Sequence, residues 1–124
     1  MVERVCILIV DDQPRARKSL QALLSTWSRV GEMHEACDGP AGVERVQELR
    51  PDVVLMDVRM PELDGLQATQ QIKAMWPQVK VIVMSMYPEH QSEALAAGAD
   101  GFVGKAEAPE RLLNLLSAVM EKEV

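Results

Sequence analysis

Five residues in this sequence have the types and placement to do chemistry together: Asp11, Asp12, Asp57, Ser85 and Lys105. Asp11, Asp57, Ser85 and Lys105 each directly follow a short apolar block, and Asp12 follows Asp11. Three clustered carboxylates repel one another, and burial without a cation pushes some of them toward protonation. A divalent ion relieves that repulsion, and an oxygen-only donor set with no His or Cys suits Mg²⁺ better than zinc. A carboxylate oxygen can also act as a nucleophile and form an acyl phosphate. Phosphoryl transfer needs positioning and charge neutralisation above all. An ammonium such as that of Lys105 can neutralise phosphoryl oxygens from one side, and the Ser85 hydroxyl can donate a hydrogen bond to another. Taken singly, each residue has a plainer reading: a polar turn or helix N-terminus for the acid pair, a turn cap for Asp57, a structural hydroxyl for Ser85, a solvated charge for Lys105.

What would bring them together is the order of the elements. Val5 to Val10 is continuous, apolar and rich in β-branched residues, as a parallel strand buried on both faces would be. After Asp11-Asp12-Gln13-Pro14, the residues Ala16, Leu20, Leu23, Leu24 and Trp27 fall on one helical face. A weaker strand is expected over Met33 to Cys37, with Asp38-Gly39-Pro40 opening a helix that carries Val43, Val46 and Leu49 and stops before Pro51. Val53 to Met56 reads as the third strand, with a loop from Asp57 to Gly65 and a helix carrying Leu66, Ile72 and Met75. Val79 to Met84 reads as the fourth strand, with a loop from Ser85 to Pro88 and a helix from Glu89 to Ala97. Phe102 to Gly104 is a short fifth strand, and Pro109 opens the last helix, which reaches about Glu121. Five βα units predict a doubly wound α/β fold: a parallel sheet with right-handed crossovers and helices on both faces. In such sheets ligands bind beyond the carboxyl ends of the strands, where the strand order reverses. The five residues should converge there.

Composition bounds the rest. With 124 residues, 48% of them hydrophobic and 26% charged, the chain suits one soluble globular domain spanning 1-124. A formal net charge of -6 argues against nucleic acid or an anionic membrane as a direct partner. No signal peptide or apolar run long enough for a membrane span is visible, so a cytoplasmic location is expected. Cys6 and Cys37 lie in apolar stretches and read as small core residues, with neither a disulfide nor a zinc motif. Trp27 and Trp76 read as core residues at helix ends, and His34 and His90 as ordinary. Arg15, Arg17 and Lys18 read as a solvated helix face, with attraction of a phosphorylated partner as the sharper alternative. In the last helix, Leu112, Leu113, Leu115, Leu116, Val119 and Met120 cover more of the wheel than one core stripe requires, which leaves open either core packing or a partner or homodimer face.

Four stretches carry a family resemblance: Ile7 to Asp12, Pro51 to Gly65, Val81 to Ser85 and Ala97 to Lys105. Together they resemble the receiver domains of two-component response regulators over the full length, and the wording Ala97-Gly98-Ala99-Asp100-Gly101-Phe102 is similar to the NarL/LuxR-type subfamily. The resemblance implies a CheY-like, flavodoxin-like sheet in the order 2-1-3-4-5. It implies a phosphorylation-dependent signalling switch that catalyses only its own phosphorylation and dephosphorylation. Asp57 would be the phosphoacceptor; Asp12, Asp57 and the backbone carbonyl of Arg59 would ligate Mg²⁺ or Mn²⁺, with Asp11 acting mostly through a water. Lys105 would pair with the phosphoryl group, Ser85 and Phe102 would form the switch, and Arg59 and Tyr87 would tune the lifetime of the phosphorylated state. The phosphodonor would be a sensor histidine kinase or a phosphotransfer protein. Relatives in this subfamily usually carry a C-terminal helix-turn-helix output domain, which the sequence lacks, leaving a stand-alone receiver and a receiver fragment both open. Ala106 stands where many relatives have proline, so a trans Lys105–Ala106 peptide is expected.

Two other functions compete. An aspartyl-phosphate hydrolase of the haloacid-dehalogenase type would need a second Asp two residues after the nucleophile, where Arg59 stands. A phosphorylation-independent adaptor on the same fold would usually lack one or more of the site residues, and here none is missing.

Overall fold

The structure is a computed structural model that describes residues 3–60 and 64–121. Its elements alternate as expected: β1 (Val5–Val10), α1 (Pro14–Leu24), β2 (Val30–Ala36), α2 (Gly39–Leu49), β3 (Val53–Asp57), α3 (Gly65–Met75), β4 (Lys80–Ser85), α4 (His90–Ala96), β5 (Gly101–Gly104) and α5 (Pro109–Glu121). The five strands form one parallel sheet in the order β2-β1-β3-β4-β5. The order reverses between β1 and β3, which opens the crevice that such sheets use for ligands.

Because β1, β3 and β4 are flanked by strands on both sides and by helices on both faces, their side chains alternate between two apolar layers. Val5, Ile7 and Ile9 pack with Leu24, Trp27, Leu112, Leu116 and Val119, which puts α1 and α5 on one face. Leu8, Val10, Val54, Met56 and Val83 pack with Val46, Ala68, Ile72 and Ala94, which puts α2, α3 and α4 on the other. The six large apolar residues of α5 join the first layer, Leu113 and Leu115 from its margin. Most of that stripe thus serves the chain's own core, with Leu113 and Leu115 left partly exposed beside it.

Several boundaries differ from the sequence reading, each for a local reason. β3 and β4 run one residue further, through Asp57 and Ser85, because Asp57 is in register with Met84 and Ser85 with Gly104. β2 begins earlier, at Val30, and ends at Ala36. Trp27 lies beyond α1: the Ser25 and Thr26 hydroxyls donate to the carbonyls of Gln21 (2.6 Å) and Leu23 (2.7 Å) and close the helix in a turn. The Trp27 indole is still buried, with its N–H donating to Ser117 Oγ at 3.0 Å. The cysteines are not core residues. Cys6 is half-buried near the amino end of β1, and Cys37 is exposed just past the end of β2 at the sheet edge.

Asp38 caps α2 as expected, and α3 opens on a cap that the sequence reading did not single out. The Asp38 carboxylate accepts from Ala41 N (2.8 Å) at the start of α2, and Asp64 and Gln67 form a reciprocal capping box at the start of α3. Asp52, between α2 and β3, ties the amino ends of three strands: its N–H donates to Cys6 O, its Oδ2 accepts from Cys6 N, and its carbonyl accepts from Lys80 N. Arg17 is not a solvated charge, since its guanidinium donates to the Asp11 carbonyl and to Glu35 Oε1, both at 2.6 Å.

Candidate functional site

All five residues singled out at the strand ends meet in one open cleft or in its floor. The cleft, about 520 Å³, is lined by Asp12, Gln13, Ala16, Asp57, Arg59, Ser85, Met86, Tyr87 and Lys105. Asp11 lies beneath it, 2% exposed, with Oδ1 accepting from Gln13 N at 2.9 Å. Lys105 reaches over from the end of β5 and bridges two carboxylates: its Nζ is 2.9 Å from Asp57 Oδ1 and 3.1 Å from Asp11 Oδ2. Asp57 itself is 9% exposed and lines the cleft.

The turn after β5 fixes where that lysine points. Lys105 N donates to Ser85 O (2.8 Å), and Glu107 accepts from Gly104 N (2.6 Å) while its other oxygen accepts from Arg111 Nε (3.0 Å). Those two contacts hold the Glu107 carboxyl below its usual range. No cis peptide occurs among the described residues, so the Lys105–Ala106 bond is trans as expected.

The electrostatics of the cluster are unbalanced: three carboxylates face one ammonium. Burial pushes the Asp57 carboxyl up, and Asp11 and Asp12 add to that against the opposing pull of Lys105. Burial works against the Lys105 ammonium too, but Asp57 and Asp11 outweigh it and hold its pKa above the ordinary lysine value. One cation is over-satisfied and one anion under-satisfied, which is the state a further cation would correct. Carboxylate oxygens of Asp11, Asp12 and Asp57 lie within 4.8 Å of one another, so the residues present fit a hard divalent ion.

Three further residues shape the rim. The Arg59 guanidinium stacks on the Tyr87 ring, 4.4 Å from its centroid. The Tyr87 ring meets the His90 ring edge-on at 5.6 Å. His90 Nδ1 lies 2.6 Å from Ser85 Oγ, which also accepts from Tyr87 N at 3.0 Å. His90 reads as ordinary in the sequence, because a histidine five residues past a strand end carries no spacing signal. Phe102 is half-buried against the α2–α4 layer and lines a second cleft with Met86, Pro88 and Gln91.

A second mixed cluster, Cys6, Glu32 and His34, lies at the opposite end of the sheet. Sequence spacing did not reveal it because it spans two strands. Both imidazole nitrogens of His34 are taken, by Glu32 (2.9 Å) and Arg45 (3.4 Å).

The strand order and the acidic pocket at its reversal place the chain among the flavodoxin-like α/β domains. Within that class, residues 7–117 match the family described as response regulator receiver domain, and the chain belongs to it. It is thus a receiver domain of two-component systems. It is 36% identical over 101 residues to the response regulator protein VraR of Staphylococcus saprophyticus, a match covering 80% of this chain and 48% of the relative. The chain spans about half the length of the curated relatives it matches. Among solved structures, the signal receiver domain of NarL from Mycobacterium tuberculosis is similar at a TM-score of 0.86 and 30% identity, covering 95% of this chain and 98% of that one. A LuxR-family two-component response regulator from Aurantimonas gives 0.92 and 26%, covering 97% and 87%. Among the described residues, no helix is long and apolar enough to cross a membrane.

Proposed function

We propose that this chain is a phosphorylation-dependent switch that accepts one phosphoryl group on Asp57 from the phosphohistidine of a sensor kinase or phosphotransfer protein. The observation that carries this reading is the Lys105 ammonium bridging Asp57 Oδ1 and Asp11 Oδ2 at the floor of a cleft open to a donor. In the transfer, Asp57 Oδ2 attacks phosphorus, the P–N bond of the donor breaks, and the freed imidazole takes up a proton. Lys105 stays beside the modified carboxylate and neutralises phosphoryl oxygens. Ser85 turns to donate to another of those oxygens. Asp12, Asp57 and the Arg59 carbonyl would hold Mg²⁺ or Mn²⁺, with Asp11 orienting a bound water. When bound, the ion supplies positive charge against the phosphoryl oxygens and offsets the crowding of the carboxylates.

Arg59 and Tyr87 stack on each other and both line the cleft beside Asp57, which supports a role in setting lifetime through the access of water to phosphorus. Phe102 would repack when Ser85 moves and change the surface around α4 and β5 that an output partner reads. The chain works as a single receiver domain in the cytoplasm, and catalyses no turnover beyond its own phosphorylation and dephosphorylation. A haloacid-dehalogenase-like hydrolase finds no support in the rim, where Arg59 stacks on Tyr87 and supplies no acid or base.

Intact mass after incubation with Mg²⁺ and acetyl phosphate tests the reading. One added phosphoryl group on the wild type, none on Asp57→Asn and none with EDTA is the expected result. A wild type that stays unmodified where another receiver is phosphorylated would replace the switch with the adaptor reading.

A further inference from the structure

The hydroxyl of Ser85 has one proton to give, and its surroundings decide where that proton goes. Ser85 is 3% exposed. Its Oγ already accepts the Tyr87 N–H at 3.0 Å and lies 2.6 Å from His90 Nδ1. If Nδ1 carried a hydrogen and donated as well, Oγ would accept twice, and the buried hydroxyl proton would have no acceptor among the described residues. Buried polar groups are almost always satisfied. The arrangement that satisfies all of them has the Ser85 O–H donating to an unprotonated Nδ1, with the imidazole hydrogen on Nε2.

We propose that His90 is a positioning residue that holds the Ser85 hydroxyl in its resting direction and competes with the phosphoryl group for its single proton. This inference rests on the phosphoryl-accepting site proposed above. A phosphoryl oxygen on Asp57 can receive the Ser85 hydrogen bond only when His90 gives it up. His90 is the first residue of α4, and the residue before it, Glu89, makes no capping hydrogen bond. The Ser85–His90 bond therefore ties the end of β4 to the start of α4, and its exchange couples the state of Asp57 to that helix. Tyr87 takes part from both sides, through its N–H on Ser85 and its ring on His90, and the ring carries Arg59 with it. The rim of the cleft and the start of α4 then respond as one unit.

The test uses beryllium fluoride with Mg²⁺ as a phosphoryl mimic, on the whole chain. His90→Ala removes the competing acceptor, and it is expected to bind the mimic roughly two- to tenfold more tightly than the wild type, the range of one hydrogen bond. His90→Asn, whose amide oxygen can replace Nδ1 as acceptor, should return affinity toward the wild-type value. In a Ser85→Ala background the His90→Ala gain should vanish, since the two residues act through one bond. The wild-type imidazole itself gives a reading that needs no variant. Its Nδ1 should show the ¹⁵N shift of an unprotonated, hydrogen-bonded acceptor at rest and lose that bond when the mimic is added. A wild type that binds no mimic overturns the site and this inference together. A wild type that binds it, with His90→Ala unchanged, weaker, or equally improved without Ser85, overturns the role of His90 alone.

Discussion

Gly65 shows how a single missing side chain brings the acceptor within reach of α3. Its N–H donates to Val58 O at 2.9 Å, and a Cβ built on it would overlap the Asp57 carbonyl oxygen and come within 2.8 Å of its carbon and 2.9 Å of Val58 Cα. The obstruction is backbone, which cannot swing aside as a flexible side chain could. Gly65→Ala must therefore move either the start of α3 or the end of β3. The expected cost is about 1–3 kcal/mol in urea unfolding, as for overpacking in a tight interior, with slower phosphorylation by acetyl phosphate because Asp57 shifts from Lys105. Unchanged stability and rate would mean that the two backbones need not lie this close. Asp11, Asp12, Asp57, Ser85 and Lys105 were legible in the sequence because each follows an apolar block, and topology turns that pattern into proximity. His90 and the Arg59–Tyr87 stack were not legible, since their contacts depend on how two loops fold back over the cleft. Cys6 and Cys37 misled for the opposite reason. Apolar neighbours in sequence imply burial only where a helix covers that face of the strand: Cys6 lies on the face of β1 opposite the buried Val5 and Ile7 and is only half-covered, and Cys37 lies past the end of the edge strand β2.

Between elements, one lysine does much of the joining of α3 to β4 and β5. Lys73 Nζ donates to Pro77 O (2.8 Å), Val79 O (2.9 Å) and Asp100 Oδ2 (2.9 Å), and the same carboxylate oxygen accepts from Val81 N at 2.8 Å. Asp100 N in turn donates to Val81 O. Removing the carboxylate leaves a half-buried ammonium and a strand N–H without their partner. Asp100→Ala should lower stability by roughly 2–3 kcal/mol, the range for hydrogen bonds to charged groups. Asp100→Asn, which keeps an acceptor for Val81 N and loses the ion pair, should cost about half of that. Equal costs for the two variants, measured by chemical unfolding, would place the contribution in the charge and not in the strand contact. The number, type and order of the elements were readable from alternating apolar and amphipathic blocks. Their ends were less so. A polar side chain reads as the start of a loop, yet Asp57 and Ser85 belong to strands because the neighbouring strand pairs with their backbone regardless of side chain. The end of α1 was hidden similarly: Trp27 keeps the helical spacing, but the hydroxyls of Ser25 and Thr26 take the last carbonyls and stop the helix before it.

For the molecule as a whole, the site is a local excess of negative charge held in place by two apolar layers, and its consequence is a stability that depends on pH and on cations. Asp57 has its carboxyl raised by burial, with Asp11 and Asp12 contributing. A raised carboxyl in the folded state means that the folded chain binds the proton more tightly than the unfolded chain does. Stability then falls as pH rises from the ordinary aspartate range to the raised folded value, and stays reduced above it. Asp57→Asn keeps an oxygen for Lys105 but cannot ionise. In EDTA the variant and the wild type should be about equally stable below the ordinary aspartate range. The variant should draw ahead across the window between the two values, and the gap should then stay constant toward neutral pH. Mg²⁺ should close that gap at neutral pH by binding the folded wild type, with a gain of about 2.7 kcal/mol when its concentration is 100 times the dissociation constant. A gap of the same size at every pH, or equal stabilisation of both proteins by Mg²⁺, would show that Asp57 does not carry the excess charge. The fold tolerates an unbalanced site because the two apolar layers behind it pack without drawing on its residues. That independence leaves the cleft free to change its charge while the sheet beneath it stays in place.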